Sequence, residues 1–238
     1  MKFRIIPRLE IKNNYLIKGM RMEGLKKIGD PVIFAKHYSD KSFHEIFYED
    51  IVASLYNRKI DIELVRQVSS NINIPLTLAG GIKNINDIET SFKNGADKVC
   101  INSSAVRNPS LINQASKIFG SQSICVLVQF KKIDDKYEIF IEAGREKVSK
   151  NIFDWLKEVE DKGAGEIFLI SIDNDGTENK LNFQLLQNLR QVSKLPMLYG
   201  GGICNELQIN EIKKMNYDGI VISNALHQKK VNFIKKYL

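Results

Sequence analysis

Cysteine is scarce, with Cys100, Cys125 and Cys204 the only three in 238 residues. They are odd in number, far apart and outside any CxxC or Cys/His spacing. That excludes a disulfide framework and a structural metal, and predicts reduced, mostly buried thiols. Long apolar runs are missing too. The opening MKFRIIPRLEIKNN holds one brief apolar stretch broken by Arg4 and Arg8, and nothing later approaches the length of a bilayer span. The expectation is a soluble, cytoplasmic protein with no membrane partner. No Pro/Gly/Ser-rich linker or shift of composition divides the chain, which predicts one compact domain over residues 1–238. A hydrophobic share of 43% with 26% charged residues supplies a large core and excludes disorder.

The net charge is +7, but there is no basic stripe with interleaved aromatics. Lysines such as Lys26/Lys27 and Lys213/Lys214 alternate with Glu and Asp in segments read as helix. Nucleic acid is therefore not an expected partner. A positive field that draws in a phosphorylated small molecule fits better.

What is present is alternation. Short β-branched runs at Arg4–Ile11, Glu45–Ile51, Pro75–Ala79, Lys98–Asn102, Ser123–Phe130, Glu166–Ile172, Pro196–Gly200 and Gly219–Ser223 read as eight strands. Between them lie segments of helical period at Ile60–Ser69, Ile85–Asn94, Pro109–Phe119, Ile152–Lys162, Phe183–Ser193 and Leu207–Met215. Eight strand–helix units in this length predict an α/β fold, a single (β/α)₈ TIM barrel. A shift of 121 residues lays Glu45-Ile46-Phe47 on Glu166-Ile167-Phe168, Pro75 on Pro196, Gly80-Gly81 on Gly201-Gly202 and Asp97 on Asp218. The first strands need a shift of 119. The barrel is thus expected to consist of two similar half-barrels.

Each half carries a glycine pair after one strand and a small polar pair after the next. These are Gly80-Gly81 with Asn102-Ser103, and Gly201-Gly202 with Ser223-Asn224. Glycine lets phosphate oxygens approach the backbone, and a helix start offers unpaired N–H groups. Two such cradles across one barrel mouth suit a ligand with a phosphate at each end. Asp173-Asn174-Asp175-Gly176-Thr177 is a tight polar turn beside the second cradle. It lacks the twelve-residue ligand pattern of a calcium loop.

Several longer stretches carry a family resemblance. They are Gly29-Asp30-Pro31-Val32, Leu78-Ala79-Gly80-Gly81-Ile82, Gly95-Ala96-Asp97-Lys98-Val99, Ala105-Val106-Arg107-Asn108-Pro109-Ser110-Leu111-Ile112, Phe119-Gly120-Ser121-Gln122, Gly163-Ala164-Gly165-Glu166-Ile167 and Ser171-Ile172-Asp173 with Asp175-Gly176-Thr177. On these residues the chain resembles the cyclase subunit of imidazole glycerol phosphate synthase along essentially its whole length. The resemblance implies a histidine-pathway carbon–nitrogen lyase without a cofactor. It also implies a glutaminase subunit docked on the bottom of the barrel as a heterodimer, with ammonia travelling through the barrel to the top. Arg4, Glu45, Lys98 and Glu166 match that family's salt-bridged gate, and Asp97 matches a position at the glutaminase interface. Lys18, in a long first loop, and Asp50, at the end of strand two, match substrate-binding positions, as do Asp175 and Gly176. Buried, such a charged ring is tolerable only if its members are paired.

The chemistry departs from the family at two points. Its cyclases use aspartates on strands one and five as general acid and base, and the matching positions here are Glu10 and Gln129. Glu10 keeps a carboxylate on a longer side chain. Gln129 cannot exchange a proton near neutral pH. Loss of a positioned acid or base costs roughly 10²- to 10⁴-fold in rate, so ordinary cyclase turnover is expected to be crippled. Position 143, where the family often has a hydroxyl residue, is Ala143.

Three readings stay open. The first is a diverged ammonia-conducting subunit serving amination or amidine formation in surface-glycan (lipopolysaccharide-type) biosynthesis, with a third, ATP-dependent amidotransferase as a further partner. The second is a working histidine-pathway cyclase. The third is a non-catalytic regulatory or scaffold subunit.

Overall fold

Strands buried on both faces have no solvent side for polar residues, so their sequences read as continuous Val, Ile and Leu. The computed structural model describes residues 2–228 and 232–238. Its strands are β1 (Arg4–Lys12), β2 (Tyr15–Met20), β3 (Glu23–Gly29), β4 (Ile46–Asp50), β5 (Leu76–Ala79), β6 (Lys98–Ile101), β7 (Ile124–Ile133), β8 (Lys136–Ile141), β9 (Glu146–Asn151), β10 (Glu166–Ser171), β11 (Met197–Gly200) and β12 (Gly219–Ile222).

Eight of these close into a parallel barrel in the order β1-β4-β5-β6-β7-β10-β11-β12, with β12 pairing back onto β1. Helices run between successive strands on the outside, so the chain is a (β/α)₈ barrel as the alternation predicts. One apolar core lies between sheet and helices and includes Ile5, Leu9, Tyr48, Leu78, Val126 and Trp155. A second fills the barrel interior with Ile6, Phe47, Cys100, Cys125, Leu127, Phe168, Leu198 and Val221. Phe47 and Phe168 meet edge to face across that interior, with ring centroids 5.0 Å apart. Each fully buried side chain of this kind contributes about 1.5–3 kcal/mol of transfer free energy.

The two halves repeat in geometry as well as in sequence. Gly80 and Gly201 have φ of 96° and 95°, and Asn102 and Ser223 share φ/ψ near −126°/−84° and −123°/−84°. Asp97 Oδ2 accepts from Leu76 N and Asp218 Oδ2 from Met197 N, both at 2.8 Å. Asn84 and Asn205 cap equivalent helices, Ile85–Lys93 and Glu206–Lys214, through their side chains.

Two excursions were not anticipated. After β1 the chain forms the antiparallel hairpin β2–β3, and after β7, at the equivalent place in the second half, the hairpin β8–β9. Lys18 is therefore in strand β2 rather than in a loop, and Lys26 and Lys27 lie in β3 rather than in a helix. Asn13-Asn14, both at positive φ (49° and 63°), make the two-residue turn that joins β1 to β2, and Arg21-Met22, at φ of 52° and 63°, make the one between β2 and β3. A helix over Pro31–Asp40 also went unread, although Asp30 caps it by accepting from Val32 N and Ile33 N at 2.8 and 3.1 Å. No helix among the described residues is long and apolar enough to cross a membrane.

Candidate functional site

Alternation along β1 sends Arg4, Ile6, Arg8 and Glu10 into the barrel and Ile5, Leu9 and Ile11 towards the helices. Arg4 thereby reaches the bottom opening, while Arg8 and Glu10 reach the top.

At the bottom, the four expected charges form a closed ring. Arg4 Nη1 lies 2.9 Å from Glu45 Oε2, and Arg4 Nη2 also bonds Glu166. Lys98 Nζ is 2.7 Å from Glu166 Oε2 and 3.7 Å from Glu45 Oε2. Each cation touches both carboxylates, which is the pairing that burial demands. Burial disfavours the charge on Arg4 and Lys98, but the facing Glu45 and Glu166 more than restore it and raise both pKa values. Thr77 adds a hydroxyl bond to Glu45. Asp97 lies beside the ring at the start of β6, spent on the Leu76 N–H.

At the top, six side chains form one network. Lys18 Nζ donates to Glu10 Oε2 at 2.6 Å and to both oxygens of Asp175 at 3.0 and 2.9 Å. Ser223 Oγ donates to the same Glu10 oxygen at 2.6 Å. Arg8 reaches Glu49 Oε2 through Nε and Nη2, both at 2.8 Å, and its Nη1 lies 3.3 Å from Glu10 and 3.6 Å from Asp175. Burial alone would raise the Glu10 carboxyl. Arg8 and Lys18 overrule it and hold Glu10 at about 2. Glu49 goes the other way, because burial outweighs the help it receives from Arg8.

Arg8 and Glu49 were missed as site residues. The signal available was their inward parity in otherwise apolar strands. A histidine supports Arg8 from behind: His227 Nε2 is 3.1 Å from the Arg8 carbonyl, and His227 Nδ1 is 2.8 Å from Tyr38 Oη. The carbonyl can only accept, so Nε2 carries the proton and Nδ1 accepts from Tyr38. Burial lowers this imidazole to about 4.

The glycine pairs sit at the mouth as expected. A Cβ on Gly80 would fall 2.2 Å from the Asp50 carbonyl oxygen, and one on Gly201 would fall 2.6 Å from that of Ser171. The turns therefore require glycine for backbone reasons before any ligand is considered.

The second cradle borders a small cavity of about 30 Å³ lined by Arg8, Gly176, Gly201, Gly202, Ser223 and Asn224. Asn224 Nδ2 donates to the Gly176 carbonyl at 3.2 Å. The first cradle opens on a larger cavity of about 310 Å³, whose walls include Gly80, Gly81, Asn102, Ser103, Gln129 and Glu142. Asp50 lies on the same wall, with Arg58 Nη2 3.0 Å from its Oδ1. Ser103 Oγ accepts from the Glu142 N–H at 3.1 Å. Gln129 is 3% exposed, and its Oε1 has no partner. Gln129 thus borders the first-half cavity, whereas Glu10 is bound to Arg8, Lys18 and Ser223 and lines neither cavity.

A profile described as "Histidine biosynthesis protein" matches residues 4–232. An imidazole glycerol phosphate synthase subunit HisF from Flavobacterium psychrophilum is 46% identical over 199 residues, 84% of this chain and 79% of that protein. The chain belongs to the HisF family. A HisF from Flavobacterium johnsoniae is 39% identical over 96% of this chain and 91% of its own. One from Campylobacter concisus is 38% identical over 99% of this chain and 94% of its own. As a HisF-like cyclase subunit by family, the chain retains the family's barrel together with a densely charged mouth.

Proposed function

We propose that this HisF-like barrel is the ammonia-receiving subunit of a glutamine amidotransferase. It pairs with a glutaminase on the face that bears Asp97 and the four-charge ring, and carries ammonia to a phosphorylated small molecule at the opposite mouth. The observation that supports this most directly is the ring itself. Arg4, Glu45, Lys98 and Glu166 are fully cross-paired around the bottom opening of the barrel. A set of solvated strand ends has no reason to close in that way.

The mouth argues against ordinary cyclase chemistry. An acid–base pair needs one group that gives a proton and one that takes it near neutral pH. Glu10, held at about 2 by Arg8 and Lys18, is ionised throughout the physiological range and binds a proton weakly. Gln129 exchanges none. The barrel then positions the phosphorylated ligand and delivers nitrogen, while the acceptor is activated elsewhere. This fits amination or amidine formation in surface-glycan biosynthesis, with a third, ATP-dependent enzyme completing the assembly.

The test is to purify the chain with a glutaminase of its own genome. Complex formation, glutamine hydrolysis and turnover of the cyclase's ribulosyl substrate with ammonium salts are then measured together. A complex that hydrolyses glutamine without forming imidazole glycerol phosphate is expected. Turnover at a rate ordinary for the family would establish the histidine-pathway cyclase instead. Full function in Glu10→Ala would mark a regulatory or scaffold subunit. Absence of any complex would overturn the ammonia-receiving role.

A further inference from the structure

The two halves of the barrel meet along two seams, β6 against β7 and β12 against β1. At the first seam Cys100 and Cys125 are register partners on parallel strands, and both side chains belong to the barrel interior. The equivalent pair at the second seam is Val221 and Ile6, also register partners and also interior. Shifts of 121 and 119 residues relate the two pairs. One seam is thus closed by hydrocarbon and the other by two thiols, in the layer between the bottom ring and the network at the mouth.

Neighbouring strands lie about 4.7–4.9 Å apart, inside the Cα separations of about 4.4–6.8 Å that a disulfide spans. A disulfide also holds its Cβ atoms about 3.8 Å apart, so the seam has to close slightly to form one. Both cysteines are unbridged in the structure, and their thiols share a hydrogen bond. Their access differs. Cys100 lines the cavity of about 310 Å³ at the mouth, whereas Cys125 is fully buried and borders neither mouth cavity. A water-sized oxidant that enters the cavity therefore meets Cys100 before Cys125.

We propose that Cys100 and Cys125 are an oxidation site, closed to a disulfide by a small hydroperoxide that enters through the first-half cavity. The Cys100 sulfur attacks a peroxide oxygen and the O–O bond breaks. Cys100 becomes a sulfenic acid, and the departing hydroxide leaves as water with the thiol proton. The Cys125 sulfur then attacks that of Cys100. The S–S bond forms as the S–O bond breaks, and the hydroxyl leaves as water with the Cys125 proton. Two thiols are oxidised and one peroxide is reduced to two waters. Burial pushes the Cys100 thiol well above its usual range, and the bond to Cys125 and the charges of Glu49 and Glu166 add to the effect. A protonated thiol attacks slowly, and a thiol of high pKa is a slow leaving group. The bond is therefore slow to form and slow to be reduced, a latch across the seam and not a rapid sensor. This chemistry needs neither a glutaminase nor a bound ligand.

Hydrogen peroxide on the folded full chain, followed by tryptic mapping without reductant, tests this. Cys100 lies in the peptide of residues 99–107 and Cys125 in that of residues 118–131, so the disulfide joins two peptides that hold one cysteine each. The linked pair is expected, at a rate that rises roughly tenfold per pH unit while the thiols are mostly protonated. Glutathione disulfide, too bulky for the barrel interior, is expected to leave both residues reduced. Dithiothreitol should open the bond at least roughly tenfold more slowly in the folded chain than in urea. In Cys125→Ser the Cys100 sulfenic acid is expected to persist and to be captured by dimedone on unfolding, while in Cys100→Ser the Cys125 thiol should survive. No linked pair in the folded parent, linkage that appears only in denaturant, or oxidation of Cys125 in Cys100→Ser would each overturn the proposal. Mapping of the parent chain decides the matter even where a variant does not fold.

Discussion

Arg8 spends two of its nitrogens on a single oxygen of Glu49, with Nε and Nη2 both 2.8 Å from Oε2. The guanidinium is then shared among Glu49, Glu10 and Asp175 inside a barrel whose middle layer is hydrocarbon. Breaking a buried pair by deleting its cation typically costs about 3–5 kcal/mol, because the carboxylates are left uncompensated. Arg8→Met is expected to lose that much in urea denaturation. Glu49→Gln leaves two cations against two carboxylates in the network and is expected to stay within about 1 kcal/mol of the parent. Equal losses in the two variants would show that the charge count does not govern this layer.

Acid should weaken the fold in two steps. His227 titrates at about 4 in the folded chain against an ordinary 6.5, so between those values the unfolded chain binds the extra proton. Stability held above pH 6.5 is lost as the pH falls towards 4, at up to about 1.4 kcal/mol per pH unit from this one group. Glu10 follows the same direction lower down, since its folded value of about 2 lies below an ordinary 4.5. Its contribution, complete above that ordinary value, is lost as the pH falls through the folded one. His227→Asn should flatten the upper step and leave the lower one. An unchanged profile between pH 6.5 and 4 would assign that loss to other groups.

Glu166 binds both Arg4 and Lys98, so Glu166→Gln leaves two cations sharing Glu45. In a complex with the glutaminase, glutamine hydrolysis should continue while transfer of its nitrogen to the acceptor falls. Added ammonium salt should bypass the defect. If transfer supported by glutamine and by free ammonium declines in parallel, the ring acts only as a structural tie.

The Gly80 turn sets a quantitative contrast with a second glycine of positive φ. A Cβ at Gly80 would meet the Asp50 backbone, whereas one at Gly24 finds nothing within 4 Å. Gly24→Ala should cost about 1 kcal/mol from its left-handed backbone alone. Gly80→Ala adds a clash that only movement of β4 relieves, and should cost about 1–3 kcal/mol more. Thermal midpoints for the two variants check the order.

The barrel was legible because its signal is periodic. Strands such as Val99–Ile101 and Ile167–Ile170 are apolar throughout, and Asp97 recurs 121 positions on as Asp218 with the same bond to the preceding strand. The ring was legible only through family resemblance, and the geometry then closed it. The hairpins β2–β3 and β8–β9 were not read. Their exposed faces carry Lys and Glu, which resemble a loop until the Asn13-Asn14 turn into β2 and the Arg21-Met22 turn into β3 are recognised. The Arg8–Glu49 contact was hidden for a different reason. An ionisable residue in an apolar run looks like an interruption unless its partner is known, and that partner is 41 residues away on the adjacent strand.

Duplication copied the backbone of this barrel but not its charges. Glu45 and Glu166 are counterparts in the two halves, yet both ring cations, Arg4 and Lys98, belong to the first half, and their counterparts in the second are Ser123 and Gly219. Two second halves brought together would face glutamate with glutamate and offer no cation to either. Two first halves would crowd four cations around two carboxylates. The shape of each half would accept a copy of itself, whereas its electrostatics accept only the other half. Separately expressed halves should therefore assemble as mixed pairs in preference to self-pairs.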